Sequence, residues 1–472
     1  MAADIVIRGG QVVSAEAVFA ADVAIEGEKI VAVGDALSGK RTIDASGRYV
    51  IPGAIDSHVH FRAPGYDYKE DWQSGTGAAA RGGVTTVLEM PNTLPPTGTL
   101  EALKMKQGIA ARQAYVDYGI YGLLDEHNID ALEALADAGV SGFKCFMGNT
   151  FGDLPAPSDG AMLEGFEILA RRGMRCTVHA ENASIMARRQ AKLEAAGRSD
   201  PLAHLAARPE VCAIEAVSRA VVFAEWTGAR LHIAHKSSRD ALYVLRDAKR
   251  RGVDVTVETC PQYLLLSTRD HERLGNVLRV NPPIREPGHQ EPLWQALREG
   301  VVDMIATDHA PHLPEEKTRA SCWQCDCGFP GVETQMPLML TEVNRGRMSI
   351  SDYVRWACVN PAKAWGLFPR KGVLQPGADA DVVLVDIGRQ WSIDQSQLFS
   401  KSKISPWHGR RVQGAPVLTL VRGRVVMEGG RIVAEPGWGK PATQKMPPPA
   451  PRNVDKTTAA VTSVRETIRK VG

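Results

Sequence analysis

The sequence predicts an α/β fold in which a (β/α)8 TIM barrel is joined to a small β-sandwich domain formed by both termini. In the middle of the chain, about eight strand-like runs alternate with helical ones over roughly 300 residues, which fits a barrel of ~250 residues with insertions. At both ends, short alternating runs are interrupted by glycine, a pattern typical of hairpins. The alternative is a doubly wound open sheet, which would need a glycine-rich phosphate loop after an early strand. We find no such loop in the sequence.

The two β-rich ends resemble each other. Residues 4–34 and 372–434 have the same alternation between glycines, and Arg8-Gly-Gly-Gln-Val-Val is nearly repeated as Arg422-Gly-Arg-Val-Val. Two such ends around a different middle predict one sheet domain assembled from both termini. The predicted domains are residues 1–52 with 366–437 for the β-sandwich, and 53–365 for the barrel.

Beyond the sandwich, residues 438–472 form a C-terminal tail. It contains the stiff spacer Met446-Pro-Pro-Pro-Ala-Pro, and Thr457 to Lys470 are predicted to form a short helix. The tail is either loosely held or an arm that reaches a neighbouring subunit, and the sequence favours neither.

The barrel strands are predicted from runs of apolar residues, in chain order 49–56, 84–90, 117–123, 142–147, 174–179, 230–235, 253–258 and 302–307. Helices are predicted between most of them, at 99–113, 127–138, 160–172, 210–227 and 239–251. The clearest amphipathic helix is the last, whose apolar face holds Ala241, Leu242, Val244, Leu245 and Ala248.

The composition excludes several classes of protein. The chain has 472 residues, of which 44% are hydrophobic and 23% charged, as in ordinary globular proteins. The net charge of +2 gives no bias toward nucleic acid or membrane. No segment is apolar for long enough to span a bilayer, and the N-terminus turns polar too soon for a secretory signal. We therefore expect a cytoplasmic enzyme or binding protein, with no nucleic acid or membrane partner.

The eight cysteines are scattered, which favours reduced thiols. Three of them lie close together in Cys322-Trp-Gln-Cys325-Asp-Cys327. This segment is either a small zinc site or a cysteine-rich loop. A structural zinc usually takes four ligands, and no clear fourth ligand is present, so the loop is the favoured interpretation.

The candidate chemistry lies where the predicted strands end, because a barrel of this kind carries its reactive groups at the C-terminal ends of its strands. Side chains alternate along a strand, so His58 and His60 point to the same side. The other strand-end candidates are Lys144, His179, His235 and Asp308. Each has an ordinary explanation: a lysine that snorkels, a hydrogen-bonded core histidine or a helix cap. One metal site explains all six positions together.

The six side chains suit a divalent ion. Nitrogen and oxygen ligands without a thiolate favour zinc, manganese or a similar metal. Lysine as an ammonium cannot ligate, but its pKa falls readily on burial. The neutral amine of Lys144 could then react with carbon dioxide and become a carbamate, whose oxygens can bridge two metals.

In this order the six residues resemble the cyclic amidohydrolase branch of the amidohydrolase superfamily, which contains dihydroorotase, allantoinase, hydantoinase and dihydropyrimidinase. The resemblance covers roughly residues 1–435. It implies that His58 and His60 bind the more buried of two divalent ions, with zinc expected, and that Asp308 completes this site. Carbamylated Lys144 would bridge the ions, and His179 and His235 would hold the second. Asp308 would act as the catalytic base and then acid. A homo-oligomer, dimer or tetramer, is also expected.

Several motifs favour dihydroorotase within this branch. By resemblance, Arg62 in His60-Phe-Arg-Ala-Pro-Gly and Asn92 in Met90-Pro-Asn-Thr would bind the substrate carboxylate. Asn281 would contact the pyrimidine ring, and His312 would lie near the carboxylate. The ordinary alternatives are a loop salt bridge for Arg62 and a turn for Asn92. The predicted reaction converts dihydroorotate to N-carbamoyl-aspartate.

Other features favour allantoinase or hydantoinase, a dihydropyrimidinase-type cyclic amidase. Gly142-Phe-Lys-Cys-Phe-Met and His179-Ala-Glu-Asn are closer to those enzymes, although Asn149 stands where hydantoinases usually carry tyrosine. Ala63 and Gln262 replace the glutamate and histidine that are common in the branch. The remaining alternative is a barrel kept as an inactive scaffold, which the intact ligand set argues against.

Overall fold

The computed structural model describes residues 3–148, 150–152 and 154–442. Asn149 and the predicted spacer and helix of the tail lie outside the described residues. Within the described part of the chain, no helix is both long and apolar enough to cross a membrane.

The first sheet combines strands from both ends of the described chain. Its N-terminal strands are β1 (Ala3–Val13), β2 (Val18–Glu26), β3 (Lys29–Gly34), β4 (Gly39–Asp44) and β5 (Tyr49–Pro52), and its C-terminal strands are β14 (Val382–Ser392), β15 (Arg411–Val421), β16 (Arg424–Glu428) and β17 (Arg431–Ile432). The spatial order is β17-β16-β15-β14-β5-β1-β2-β3, with β4 paired to β1. The antiparallel pair β5–β14 therefore joins the two ends of the chain.

The second sheet is the barrel. Its strands follow chain order, each parallel to the next: β6 (Ala54–Val59), β7 (Val84–Glu89), β8 (Asp117–Leu124), β9 (Gly142–Phe146), β10 (Arg175–His179), β11 (Arg230–Ile233), β12 (Val255–Thr259) and β13 (Met304–Ile305). A parallel bridge between Val59 and His309 brings the eighth strand region back to the first. The His60 N–H also donates to the His309 carbonyl at 2.7 Å. The barrel therefore closes at the level of the predicted ligands.

The helices surround the barrel and cap its ends. They are α1 (Trp72–Arg81), α2 (Leu100–Gln113), α3 (Leu132–Asp137), α4 (Asp159–Arg171), α5 (Ala183–Ala195), α6 (Pro201–Ala207), α7 (Glu210–Thr227), α8 (Leu242–Arg250), α9 (Pro261–Leu265), α10 (His271–Leu274), α11 (Gln290–Arg298), α12 (Pro314–Lys317), α13 (Gln335–Asn344), α14 (Ile350–Val354) and α15 (Asn360–Ala364). Several begin at side-chain caps. Asp71 and Ser74 form a reciprocal capping box at α1, and Ser158 caps α4.

The predicted strand 49–56 is wrong in its limits. Residues 49–52 belong to β5 in the terminal sheet, and the barrel strand β6 begins only at Ala54. Gly53 lies between the two, where a Cβ atom would stand 2.1 Å from the hydroxyl oxygen of Thr85. An apolar run that crosses from one sheet to the other reads as a single strand, because both halves are buried. The predicted domain limits stay predictions.

A buried ion cluster connects the two sheets. Lys371 Nζ lies 2.7 Å from Asp117 on barrel strand β8, 2.5 Å from Asp381 and 3.1 Å from Asp379. Burial alone would lower the pKa of Lys371, but attraction by the three carboxylates outweighs it and raises that pKa. The guanidinium of Arg422, in the turn between β15 and β16 of the terminal sheet, also pairs with Asp117. The cluster therefore fixes the terminal sheet against the N-terminal end of a barrel strand.

We predict that Lys371→Met lowers the unfolding free energy by about 3–5 kcal/mol, because it leaves the buried Asp381 without its cation and removes one of the cations that pair with Asp117 and with Asp379. The matched control is Lys29→Met. Lys29 binds the same Asp379 at 2.7 Å, but its side chain is 47% exposed, so the expected loss is below about 1 kcal/mol. Urea unfolding followed by circular dichroism measures both values. Equal losses in the two variants would contradict a structural role for the buried cluster.

Candidate metal centre

Nine of the ten residues predicted for the site line one cavity at the C-terminal mouth of the barrel. The predicted residues that line the cavity are His58, His60, Arg62, Asn92, Lys144, His179, His235, Asn281 and Asp308. The tenth residue, His312, is buried behind Arg62 and does not line the cavity. Residues more than 200 positions apart in the chain therefore converge, because parallel strands end at one rim.

The first cluster consists of His58, His60 and Asp308, whose potential ligand atoms all lie within 4.8 Å of one another. Asp308 Oδ1 is 3.3 Å from His58 Nε2 and 3.2 Å from His60 Nε2. The other nitrogen of His60 is 2.7 Å from Asn92 Oδ1, which orients that ring. Both imidazoles thus present Nε2 to the same carboxylate oxygen.

The second cluster consists of His179 at the end of β10 and His235 just after β11. His179 Nδ1 lies 2.9 Å from His235 Nε2, and His179 Nε2 lies 2.9 Å from Glu181. Arg208 donates to the same Glu181 oxygen at 2.5 Å. The carboxylate therefore fixes which nitrogen of His179 faces His235.

Lys144 on β9 is fully buried, and its ammonium nitrogen has no hydrogen-bond partner in the described structure. Burial lowers the pKa of Lys144, which increases the fraction of reactive neutral amine. The ring of Phe146 lies 5.2 Å from this nitrogen. A buried amine without a partner is costly and calls for a compensating group.

The residues present fit divalent ions. Lys144 Nζ and His235 Nδ1 are buried polar atoms without partners. Burial also lowers the pKa of His58 to about 4 and that of His60 well below its usual range, so both rings are neutral near pH 7. Neutral imidazole and carboxylate are the donors that zinc accepts.

Backbone strain is concentrated at this mouth. Arg62, His235 and Asp308 have positive φ angles of 62°, 37° and 51°, a region that residues other than glycine rarely adopt. Such conformations cost of order 1–3 kcal/mol each and occur preferentially at functional sites. Asp308 is also not a helix cap, the ordinary alternative, because the next helix begins at Pro314 with Leu313 as its N-cap residue.

Arg62 forms one wall of the cavity. Its Nε donates to the Pro311 carbonyl at 3.2 Å, its Nη2 lies 3.0 Å from His312 Nε2, and its Nη1 is buried without a partner. The ring of Phe151 stacks over the guanidinium at 4.5 Å. Arg62 is therefore not the loop salt bridge that was the ordinary alternative, since none of these partners is a carboxylate.

Sequence reasoning missed several residues of the site. Glu258 on β12 lies 2.5 Å from His58 Nδ1 and is completely buried. It ends the predicted strand 253–258, so the rule that found the histidines could have found it. Phe151 and Cys327 also line the cavity, but they come from loops and carry no sequence signal. In the cysteine-rich segment, the Cys325 thiol donates a hydrogen bond to the Arg319 carbonyl at 3.4 Å.

Comparison with known proteins agrees with this geometry. Residues 49–426 match the model of the amidohydrolase family. The solved L-hydantoinase (dihydropyrimidinase) from Arthrobacter aurescens superposes with a TM-score of 0.91 at 37% identity, covering 93% of this chain and 100% of that one. The chain belongs to the amidohydrolase family. The resemblance to its cyclic amidohydrolase branch and the predicted fold class, a TIM barrel with a β-sandwich domain, are thereby confirmed.

Two curated relatives show the range of this branch. An allantoinase of Deinococcus radiodurans is 36% identical over 442 residues, which cover 92% of this chain and 98% of the relative. A dihydroorotase of Halobacterium salinarum is 39% identical over 419 residues, which cover 88% and 95%. Cyclic amidohydrolases with three different names are thus about equally similar to this chain, so overall identity does not select the ring.

Proposed function

We propose that this protein hydrolyses the C–N bond of a cyclic amide that bears a carboxylate, with dihydroorotate as the best candidate and N-carbamoyl-aspartate as its product. The observation that carries the proposal is Arg62. Its Nη1 is buried without a partner in a wall of the same cavity that holds the predicted ligands. A guanidinium is planar and binds carboxylate in a directed way, so an acidic ring would satisfy it.

In this proposal the centre holds two divalent ions, with zinc expected. His58, His60 and Asp308 would hold the first ion, and His179 and His235 the second, with carbamylated Lys144 shared by both. Divalent ions in such a site polarise a carbonyl and lower the pKa of bound water to about 7. The buried, partnerless amine of Lys144 supports the carbamate, because carbamylation would convert it to an anionic oxygen donor.

Asp308 is the proposed catalytic residue. Burial raises the pKa of its carboxyl above the usual range, so it can hold a proton near neutral pH. It would accept the proton of the attacking water and deliver it to the leaving amide nitrogen, acting first as base and then as acid. Asp308 lies beside His58 and His60 and lines the cavity, so a proton held on its carboxyl would be close to a substrate bound there.

The remaining predicted contacts divide into two kinds. Asn281 Oδ1 is a buried acceptor without a partner, so it would receive a ring N–H of the substrate. Asn92 and His312 are already engaged with His60 and Arg62, respectively. The Asn92 amide nitrogen also donates to the Phe151 carbonyl at 3.1 Å. We propose that Asn92 and His312 contribute to substrate binding mainly by orienting their partners.

The second candidate is a hydantoinase- or allantoinase-type reaction on a ring without a carboxylate. Phe146 and Phe151 both line the cavity, and aromatic walls suit an apolar ring substituent. The TM-score of 0.91 to a solved L-hydantoinase adds weight to this candidate.

A homo-oligomer, dimer or tetramer, in the cytoplasm is also part of the proposal. Val211, Val222 and Trp226 project from one side of α7 and are 47%, 57% and 63% exposed. An exposed apolar helix face of this kind is typical of a subunit contact.

Activity is tested on a panel of rings. Protein loaded with zinc is assayed on dihydroorotate, allantoin, hydantoin and dihydrouracil, and the highest kcat/KM is expected for dihydroorotate. A higher value for hydantoin or allantoin would select the second candidate. No turnover on any ring, with metal bound, would favour the inactive scaffold.

We predict that Arg62→Met lowers kcat/KM for dihydroorotate at least tenfold, because a hydrogen bond to a charged group contributes about 1.5–3 kcal/mol. Dihydrouracil is the matched substrate, since it has the same ring without the carboxylate, and its kcat/KM should change little. An equal loss on both rings would show that Arg62 supports the cavity rather than the carboxylate.

We predict that Lys144→Ala loses bound metal and activity, and that acetate with added divalent ion restores part of both. Lys106→Ala is the matched control, because Lys106 is also a fully buried lysine of the barrel but pairs with Glu89 at 2.6 Å. That control should keep its metal. Metal content is measured by inductively coupled plasma mass spectrometry, and unchanged content in Lys144→Ala would contradict the carbamate bridge.

A further inference from the structure

Glu258 connects the two halves of the candidate metal centre. Its side chain is fully buried on β12 and accepts hydrogen bonds from four groups. Oε2 lies 2.9 Å from Ser57 Oγ and 3.0 Å from His232 Nε2, and Oε1 lies 2.5 Å from His58 Nδ1 and 3.1 Å from the backbone nitrogen of His235. The donors come from β6, from β11 and from the residues just after β11.

The contact with His58 determines a tautomer. A carboxylate can only accept, so Nδ1 of His58 must carry the proton and Nε2 must present its lone pair. That lone pair is directed at the cluster with His60 and Asp308, where Nε2 is 3.3 Å from Asp308. Outer partners of this type typically raise the affinity of a histidine site for metal 10- to 100-fold.

The contact with His235 acts on the backbone. His235 has a φ of 37°, which is unfavourable for a residue with a Cβ atom. Its N–H donates to the same Oε1 that holds His58. This bond stabilises the turn that places the His235 ring 2.9 Å from His179. One carboxylate oxygen thus orients a ligand in each cluster.

The other ligands have separate partners. His60 is oriented by Asn92 and His179 by Glu181, each on one side of the centre. Within the described residues, Glu258 is therefore distinguished by contacts to both clusters. Four donors on one buried carboxylate also hold it rigidly, since each oxygen has two partners.

We propose that Glu258 is a positioning residue that sets the geometry of both metal subsites through one carboxylate oxygen. The inference rests on the proposed binuclear centre and goes beyond its ligand set. It requires that loss of the carboxylate weakens both subsites together, whereas loss of Asn92 or Glu181 weakens one.

The test compares Glu258→Gln with the wild-type protein. Glutamine keeps the size of the side chain but offers one acceptor instead of two, so it cannot accept all four donors. Both zinc dissociation constants, measured by competition with a chromophoric chelator, should rise about 10- to 100-fold. The visible spectrum of the cobalt-loaded protein should also change, because the ligand geometry changes.

Glu89→Gln is the matched control. Glu89 is a fully buried glutamate on strand β7 of the same barrel, and it pairs with Lys106 rather than with a candidate ligand. The substitution should lower the thermal midpoint of the metal-free protein but leave both zinc affinities within about threefold. This comparison separates loss of stability from loss of metal binding.

The outcomes are distinguishable. If the wild type binds two ions and Glu258→Gln binds them equally well, or loses only one, the shared role of Glu258 is overturned and the proposed function stands. If the wild type binds no divalent ion, the binuclear centre and this inference both fail.

If Glu258→Gln does not fold, nitrogen NMR of the zinc-loaded wild type decides whether the inference holds. A protonated Nδ1 on His58, assigned by its loss in His58→Gln, supports the inference, and an unprotonated Nδ1 overturns it.

Discussion

Closure of the barrel between its first and last strands is the constraint on which the centre depends. Strand β13 has only two residues, and the contact that closes the ring is the bridge from Val59 to His309. The same stretch carries His58 and His60 on one side and Asp308 on the other. If the ring opened here, the first cluster would separate into two unrelated strand ends. Fold and ligand set therefore depend on the same junction, which Thr307 also joins by donating hydrogen bonds to Asp56.

The centre is assembled from ionisable groups whose burial in a charged form would be unfavourable for each of them alone. Burial lowers the pKa of His58 and Lys144 and raises that of Asp308, which in each case disfavours the charged form. A cavity of this kind lowers the cost of metal binding, because the imidazoles need not lose protons first. The carboxylates of Glu258 and Glu181 lie behind the histidine ligands. Glu258 and Glu181 hold their histidines from the outer side, so they orient nitrogens without occupying the mouth.

The sequence predicted the convergence of the candidate ligands at one end of the barrel, because this convergence follows from a local pattern. His58, His60, His179, His235 and Asp308 each end or follow an apolar run, and Lys144 lies within one. A parallel barrel brings the ends of such runs together whatever their separation along the chain. Prediction was weaker where contacts between residues distant in the sequence determine the strand limits and the side-chain partners. Residues 49–56 looked like one strand because burial is the same on both sides of Gly53, although the halves belong to different sheets. The engagement of His312 with Arg62, and of Asn92 with His60, depends on loop paths that no periodicity encodes.

In the proposed function, substrate specificity depends on how neighbouring residues orient the Arg62 guanidinium. Its guanidinium is supported by His312, which in turn lies 3.0 Å from Lys69 Nζ and 3.1 Å from Asp326 Oδ2. Asp326 comes from the cysteine-rich segment, so this loop contributes, through His312, to the orientation of the candidate carboxylate ligand. Burial lowers the pKa of His312 to about 4, which keeps the ring neutral and able to accept from Arg62. Asp308, Asp326 and other nearby carboxylates attract the charge of Arg62, but its direct partners are a carbonyl and a neutral imidazole. An acidic ring would supply the carboxylate partner that Nη1 lacks, whereas a neutral ring would leave Nη1 without one.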